Sequence, residues 1–214
     1  MSPSPPAPAT CSPPSRRCSR DYLTLIRHGQ TDWNLARRIQ GSTDIPLNET
    51  GREDARWAAE KLAGTTHHAV YTSPLVRASE TAGIIAERLG LEIAGVVPDI
   101  REREFGDGEG MLVPDYISTY GDWHAEVPGA ESLHEVGVRA IAALHRIARD
   151  ARRRSAPQAE SVLVVTHGGV IRAVIDHVSG GTLPRDGEVL RNGSAHRFVA
   201  APGYLRLLEE TPVL

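Results

Sequence analysis

The chain has 214 residues, of which 40% are hydrophobic, and this is enough to bury the core of one fair-sized domain. Its formal charge of -3 favours neither a strongly basic nor a strongly acidic partner, and no nucleic acid is expected to bind it. The two cysteines, Cys11 and Cys18, both lie near the N-terminus, which argues against a disulfide-stapled secreted domain and favours a cytoplasmic location.

The first 20 residues differ in composition from the rest of the chain. They are rich in proline and serine and contain no apolar central region, so they do not resemble a secretory signal. We predict a disordered tail over residues 1–20, followed by one domain over residues 21–214. No apolar run is long enough to cross a membrane, and no membrane association is expected.

Short apolar runs predict the strands. Residues 22–26, 68–72 and 161–166 are typical of strands that are covered on both faces of a sheet. Near the C-terminus, residues 194–200 and 204–210 flank a proline-glycine turn and predict a hairpin.

Residue patterns typical of helix N-termini predict helices between the strands. Residues 50–53 have the spacing of a capping box with Thr50 as the N-cap. Ser73 precedes Pro74, which predicts a second helix with Ser73 as its N-cap, running to about Gly90.

Two more helices are predicted in the second half of the chain. Ser132 and Glu135 have the spacing of another capping box. The pair Gly168-Gly169 breaks the chain after the third strand, and residues 170–178 then predict a helix.

This alternation of strands and helices indicates an α/β domain, here a three-layer α/β/α arrangement around a mostly parallel sheet. Such folds bind ligands beyond the carboxyl ends of their strands. Arg27 and His28 follow the first predicted strand, and His167 follows the third. We therefore expect these side chains at the same edge of the sheet.

These residue types suit the chemistry of a phosphate monoester, which is a dianion near neutral pH. Arginine binds such an anion through charge-assisted bidentate hydrogen bonds, and a neutral imidazole can attack phosphorus. A second, protonated histidine could stabilise the transition state, and a carboxylic acid could protonate the leaving oxygen. Arg77, at the start of the helix after residues 72–74, and the glutamates of residues 101–106 would complete the set.

Five segments in a fixed order resemble the histidine phosphatase superfamily, in the branch that includes the cofactor-dependent phosphoglycerate mutases. They are residues 26–34, 38–51, 72–82, 100–106 and 165–172. The pattern is closest to the broad-specificity phosphatases of that family. The resemblance implies a phosphoglycerate mutase-like fold and a phosphohistidine intermediate, and no metal or other cofactor is expected.

The resemblance gives each matching residue an expected role. His28 is the expected nucleophile and Glu102 the expected acid and base, while Arg27, Arg77 and His167 are expected to hold the phosphoryl oxygens. The further positions expected to line the phosphate pocket are Asn34, Gln40, Gly41 and Gly168.

Other interpretations of these residues remain open at this point. Glu104 is an alternative acid, because it shares one charged run with Glu102 and only the family pattern selects between them. Taken alone, Arg27 and His28 also fit a surface turn, and Arg77 fits a solvated helix residue. However, a cation in the first turn opposes the helix dipole unless an anion binds there, which favours a functional Arg77.

Three functions are compatible with this pattern: a phosphatase, a mutase, and a non-catalytic binding protein on the same fold. A mutase needs cations beyond the phosphoryl pocket, because its substrate carries a second anionic group. Residues 105–138 contain no lysine or arginine and seven carboxylates, so we predict a phosphomonoesterase for a small phosphorylated metabolite with a neutral or cationic leaving group. Arg37 and Arg38 could supply part of the missing charge. A homodimer is compatible with the sequence, which does not fix the oligomeric state.

Overall fold

The computed structural model describes residues 21–155, 161–185 and 187–208. The predicted tail, residues 1–20, and the last two residues of the predicted hairpin, Glu209 and Glu210, lie outside this part. None of the helices described is both long enough and apolar enough to cross a membrane.

A six-stranded sheet forms the centre of the described structure, with the strand order β3-β2-β4-β1-β5-β6. The strands are β1 (Asp21–Arg27), β2 (Ala69–Thr72), β3 (Ile93–Val96), β4 (Ser161–Thr166), β5 (Ala195–Ala201) and β6 (Tyr204–Leu207). The four strands β1, β2, β3 and β4 are parallel to one another, whereas β5 runs antiparallel to β1 and forms a hairpin with β6. The prediction of a mostly parallel sheet and a C-terminal hairpin is confirmed.

Helices cover both faces of this sheet, so the three-layer architecture is confirmed. They are α1 (Asp32–Leu35), α2 (Glu49–Leu62), α3 (Val76–Leu89), α4 (Val113–Tyr120), α5 (Leu133–Ser155) and α6 (Gly168–Ser179), with 3-10 turns at Pro98–Ile100 and Gly106–Gly108. β4 shows how the layers arise from strand alternation. Val162 and Val164 join the core under α5 and α6, whereas Leu163 and Val165 join the core under α2 and α3.

The register of the two central strands places the predicted histidines side by side. Arg27 is paired with Thr166, and these are the last residues of β1 and β4, so His28 and His167 both follow directly at the same edge of the sheet. The amide of His28 donates to the carbonyl of Thr166 over 3.0 Å, which extends the ladder by one residue. Because β1 and β4 are almost wholly buried, this edge is a rigid base for both side chains.

Three predicted helix starts are wrong. α2 begins at Glu49, because the side chain of Asn48 accepts from the amide of Gly51 over 2.9 Å and caps the helix two residues before Thr50. α3 begins at Val76 rather than Pro74, whereas its end is close to the prediction, because Leu89 is its last residue and Gly90 caps it in a left-handed conformation. α6 begins at Gly168, so the two glycines form its first turn instead of separating it from β4.

The capping box of α5 is confirmed, since the Ser132 hydroxyl accepts from the amide of Glu135 and the Glu135 carboxylate accepts from the amide of Ser132. The sequence patterns did not predict α1, β3 and α4. These elements are short, and β3 is a half-exposed edge strand, so they lack the long periodic apolar pattern on which prediction depends.

Candidate active site

The predicted site residues meet at one cavity beyond the carboxyl ends of β1 and β4. The cavity has a volume of about 810 Å³. The predicted residues that line it are Arg27, His28, Asn34, Gln40, Gly41, Glu102 and Gly168. The other two, Arg77 and His167, are completely buried and contact residues of this wall.

The loop that carries His28 is held by a close backbone approach. An added Cβ at Gly29 would lie 2.1 Å from the carbonyl oxygen of Gly51 in α2, and one at Gly51 would lie 2.0 Å from the carbonyl oxygen of Gln30. Only glycine allows this contact, which fixes the loop against the first turn of α2.

The hydrogen bonds of His28 leave one ring nitrogen available. Its Nδ1 lies 2.7 Å from the carbonyl oxygen of Gly29, which can only accept, so Nδ1 carries the proton. Burial, and then the charges of Arg27 and Arg77, hold the pKa of His28 well below its usual range. The ring is therefore neutral at pH 7, and Nε2 keeps an unshared electron pair that can bond to phosphorus.

His167 is the second buried imidazole. Its ring centroid lies 5.2 Å from that of His28, and its Nε2 lies 2.8 Å from the hydroxyl of Ser73, the residue predicted as a helix cap. Burial, and then the charges of Arg77, His28 and Arg27, also hold the pKa of His167 well below its usual range. Its Nδ1 is buried and has no hydrogen-bond partner among the described residues.

Two arginines supply positive charge next to these rings. Arg27 donates one amino group to the carbonyl of Leu190, and its guanidinium lies against Gly168, where an added Cβ would be 3.2 Å from Nε. Arg77, in the first turn of α3 as predicted, donates to the carbonyls of Gly41 and Thr43, each over 2.8 Å. Burial lowers the pKa of both arginines and Glu102 opposes this shift, yet a guanidinium stays charged at pH 7.

Three nitrogens at this site are buried without a hydrogen-bond partner among the described residues, namely Nε of Arg27, Nε of Arg77 and Nδ1 of His167. A buried donor that lacks a partner destabilises the fold, so such atoms are rare, and a ligand that bonds to them would remove this cost. All three can donate to an oxyanion. The presence of three such nitrogens on neighbouring side chains therefore fits the phosphate pocket that the sequence predicted.

The structure separates the two candidate acids. Glu102 lines the cavity, and its carboxylate accepts from the amide of Gly169 at the start of α6 over 3.2 Å and from the amide of Arg103 over 2.9 Å. Glu104 does not line the cavity and instead forms an ion pair of 2.9 Å with Arg101. An added Cβ at Gly169 would lie 2.5 Å from Glu102 Oε1, so the carboxylate depends on that glycine for its place.

Asn192 also contributes to the site, although the sequence patterns did not single it out. Its amide donates to the carbonyl of His28 over 3.0 Å and to the side-chain oxygen of Asn34 over 3.1 Å. The same oxygen of Asn34 accepts from the amide of Thr31 over 3.1 Å. These bonds orient Asn34 and leave its amide nitrogen for a ligand.

The acidic stretch over residues 105–138 contributes less charge to the cavity than the sequence analysis assumed. Of its seven carboxylates only Asp122 lines the cavity. Glu109 is held by Ser42 and Thr43, and Glu131 is paired with Arg139. The charge count of the stretch is therefore a poor guide to the charge that a substrate meets.

The outer cavity wall combines apolar and charged side chains that are distant in sequence. The apolar members include Ile39, Phe105, Val113, Ile117, Trp123 and Leu133, the cationic members are Arg37, Arg38, Arg103 and Arg172, and the acidic members besides Glu102 are Asp122, Asp176 and Glu188. Arg172 follows the predicted histidine-glycine motif by one helical turn, which is the only sequence signal that could have indicated it. Arg37 and Arg38 were considered in the sequence analysis for their charge alone. Leu133 comes from α5 and Asp176 from α6, and the remaining members come from α4 and from loops, whose placement the sequence does not specify.

Comparisons with known proteins identify a family and several relatives for this chain. The family model "Histidine phosphatase superfamily (branch 1)" matches residues 23–209. A Bacillus subtilis protein named uncharacterized phosphatase PhoE is 40% identical over 159 residues, which cover 74% of this chain and 78% of that protein. A probable phosphoglycerate mutase, GpmB of Photorhabdus laumondii, is 35% identical over 185 residues, covering 81% of this chain and 82% of that protein.

A solved structure also resembles this one across most of its length. The mycobacterial glucosyl-3-phosphoglycerate phosphatase in complex with VO3 is 27% identical, with a TM-score of 0.74 and coverage of 87% of this chain and 97% of that chain. The comparisons support a phosphatase function, and the relative named as a mutase makes it necessary to test the alternative reaction.

Proposed function

The chain belongs to the histidine phosphatase superfamily (branch 1), and we propose that it hydrolyses a small phosphomonoester through a phosphohistidine formed on His28. The observation that supports this best is the state of His28, which is buried, neutral, protonated at Nδ1 and adjacent to two arginines. A nucleophile in this state needs no base to activate it.

In the first step, Nε2 of His28 attacks phosphorus and the bond between phosphorus and the ester oxygen breaks. Glu102 gives its proton to that oxygen, so the products are a phosphohistidine and a neutral alcohol. In the second step, water attacks phosphorus, Glu102 accepts a proton from it, and the bond to Nε2 breaks to release phosphate.

The remaining groups stabilise charge on the phosphoryl oxygens. The proposed donors are the nitrogens of Arg27, Arg77 and His167 that have no hydrogen-bond partner among the described residues, and buried elements hold them before the substrate arrives. His167 is neutral without a ligand, and a bound dianion favours its protonation, so we expect proton uptake when phosphate or vanadate binds.

The cavity is large enough for an organic leaving group much bigger than the phosphoryl group itself, since about 810 Å³ lies within the range of sites for drug-sized ligands. Its apolar wall favours a leaving group with a carbon skeleton that can contact Phe105 and Trp123. The wall does not select one metabolite.

A phosphoglycerate mutase reaction is the second candidate. The observation that favours it is the presence of Arg37, Arg38 and Arg172 in the cavity wall, because these cations could bind the carboxylate or second phosphate of such a substrate.

The test is phosphate release from a panel of phosphomonoesters that includes the phosphoglycerates, with a coupled assay for their interconversion. Hydrolysis of at least one ester, with interconversion slower than phosphate release, is expected. The variant His28→Ala should lose both turnover and acid-labile phosphate on histidine, whereas His134→Ala, at an exposed position on α5, should retain both. Faster interconversion than release would establish the mutase instead. A lack of any release would leave a non-catalytic binding protein, and labelling that persists in His28→Ala would overturn the choice of nucleophile.

A further inference from the structure

The guanidinium of Arg139, on α5, uses all of its hydrogen-bond donors inside the protein. Its side chain is 14% exposed. Nε and Nη2 form a bidentate ion pair with the two carboxylate oxygens of Glu131, at 2.7 and 2.8 Å. Nη1 donates to the carbonyls of Asp99 and Arg101, each over 2.9 Å, and Nη2 donates to the carbonyl of Glu102 over 3.1 Å. An arginine has five N–H donors, and here five acceptors meet them.

These carbonyls belong to the loop that carries the proposed acid. Arg139 binds those of residues 99, 101 and 102, and the hydroxyl of Thr166 on β4 binds the one between them, at Ile100, over 2.7 Å. Residues 99–102 belong to none of the six strands, and the antiparallel bridge that follows them joins Phe105 to Ala130. Hydrogen bonds from side chains on α5 and β4 therefore hold this backbone where bonds to a neighbouring strand are missing. They fix the segment from which Glu102 extends.

Glu131 holds the other side of the same loop. Its carboxylate accepts from the amide of Glu104 over 3.1 Å, and its carbonyl accepts from Nε of the buried Arg103 over 2.7 Å. Since Arg139 fixes the Glu131 carboxylate at both oxygens, it also controls this second attachment. The loop is thus tied to Arg139 directly on one side and through Glu131 on the other.

We propose that Arg139 is a positioning residue for Glu102. Its five hydrogen bonds hold the loop in the position from which the Glu102 carboxyl group reaches the leaving oxygen. Arg139 does not line the cavity. The inference rests on the proposed function, because the position of Glu102 affects the reaction only if that residue transfers a proton. Proton transfer requires the carboxyl group within hydrogen-bond reach of the ester oxygen, so a small displacement of the loop slows the step.

The variant Arg139→Lys tests this with little change in size or charge. Lysine offers three donors on one nitrogen and lacks the planar fork, so it cannot serve all five acceptors. The matched control is Arg146→Lys, on the same helix, where the arginine is about half exposed and its described ion pair is with the side chain of Asp99.

Two esters separate proton transfer from general damage. Glycerol 2-phosphate has a poor leaving group that needs a proton, whereas p-nitrophenyl phosphate has a good one that does not. We expect Arg139→Lys to lose roughly 100-fold in kcat/KM with glycerol 2-phosphate and less than about 3-fold with p-nitrophenyl phosphate. Arg146→Lys should change neither by more than about 2-fold.

A double variant then asks whether Arg139 acts through Glu102. If it does, Arg139→Lys added to Glu102→Gln should cause little further loss with glycerol 2-phosphate, because the group it positions is already gone. Equal losses with both esters, or losses that multiply in the double variant, would overturn the proposal. If Arg139→Lys does not fold, Glu131→Gln replaces it, since it weakens one arm of the same network and should show the same difference between esters. A failure of the proposed function is recognised separately, because the wild-type protein would then hydrolyse neither ester.

Discussion

The two buried histidines make the stability of this protein sensitive to mild acid. His28 and His167 are 2% and 0% exposed, and burial is the largest cause that holds the pKa of each well below 6.5. In the unfolded chain both rings regain the ordinary pKa of about 6.5. Below that pH the unfolded state therefore binds protons that the native state does not, and the free energy of unfolding falls as the pH falls.

The size of the effect follows from the same linkage. A histidine that stays neutral in the native state removes about 1 kcal/mol of stability between pH 6.5 and 5.5, because the limiting slope is about 1.36 kcal/mol per pH unit and titration is half complete at the upper limit. His28 and His167 together should remove about 2 kcal/mol over this interval. Domains of this kind are stable by only about 5–15 kcal/mol, so the loss is measurable.

Urea unfolding at pH 7.5, 6.5 and 5.5, without phosphate in the buffer, measures this effect. The variant His167→Gln keeps a side chain that can bond to Ser73 but cannot titrate, so its loss of stability between pH 6.5 and 5.5 should be about 1 kcal/mol smaller than that of the wild-type protein. The control His134→Gln, at an exposed position, should behave as the wild type does. Other buried histidines add to the total slope, so the difference between proteins is the decisive quantity. An identical slope for wild type and His167→Gln would refute the reasoning.

Three further outcomes are expected. Arg37 has a left-handed backbone with φ of 53°, so Arg37→Gly should stabilise the protein by roughly 0.5–1 kcal/mol in urea unfolding, and a destabilised variant would contradict the strain. Gly169→Ala should slow hydrolysis of glycerol 2-phosphate far more than that of p-nitrophenyl phosphate, because the new Cβ displaces Glu102, while Gly83→Ala, which meets no atom within 4 Å, should slow neither. Activity should survive EDTA, and a loss that one divalent metal restores would show that a metal takes part.

The sequence determined the central part of the fold and most of the predicted site. The apolar runs at β1 and β4 can only be buried, and each ends in a histidine, so parallel pairing brings both rings to one edge. The local signals at Ser132 and Gly90 also define helix ends without help from tertiary contacts. At the start of α2 the capping-box pattern indicated Thr50, whereas the cap in the structure is Asn48, whose side chain accepts from the amide of Gly51.

Only the tertiary structure decided how the charged residues divide between the cavity and other contacts. Glu102 and Glu104 lie in one charged run, and no local rule separates them. The pairing of Glu104 with Arg101, and the approach of Glu102 to the amide of Gly169, depend on where α6 lies. In the same way, six of the seven carboxylates of residues 105–138 do not line the cavity. Charge is a property of a sequence, but the direction in which a charged side chain points depends on packing between elements that are far apart in the chain.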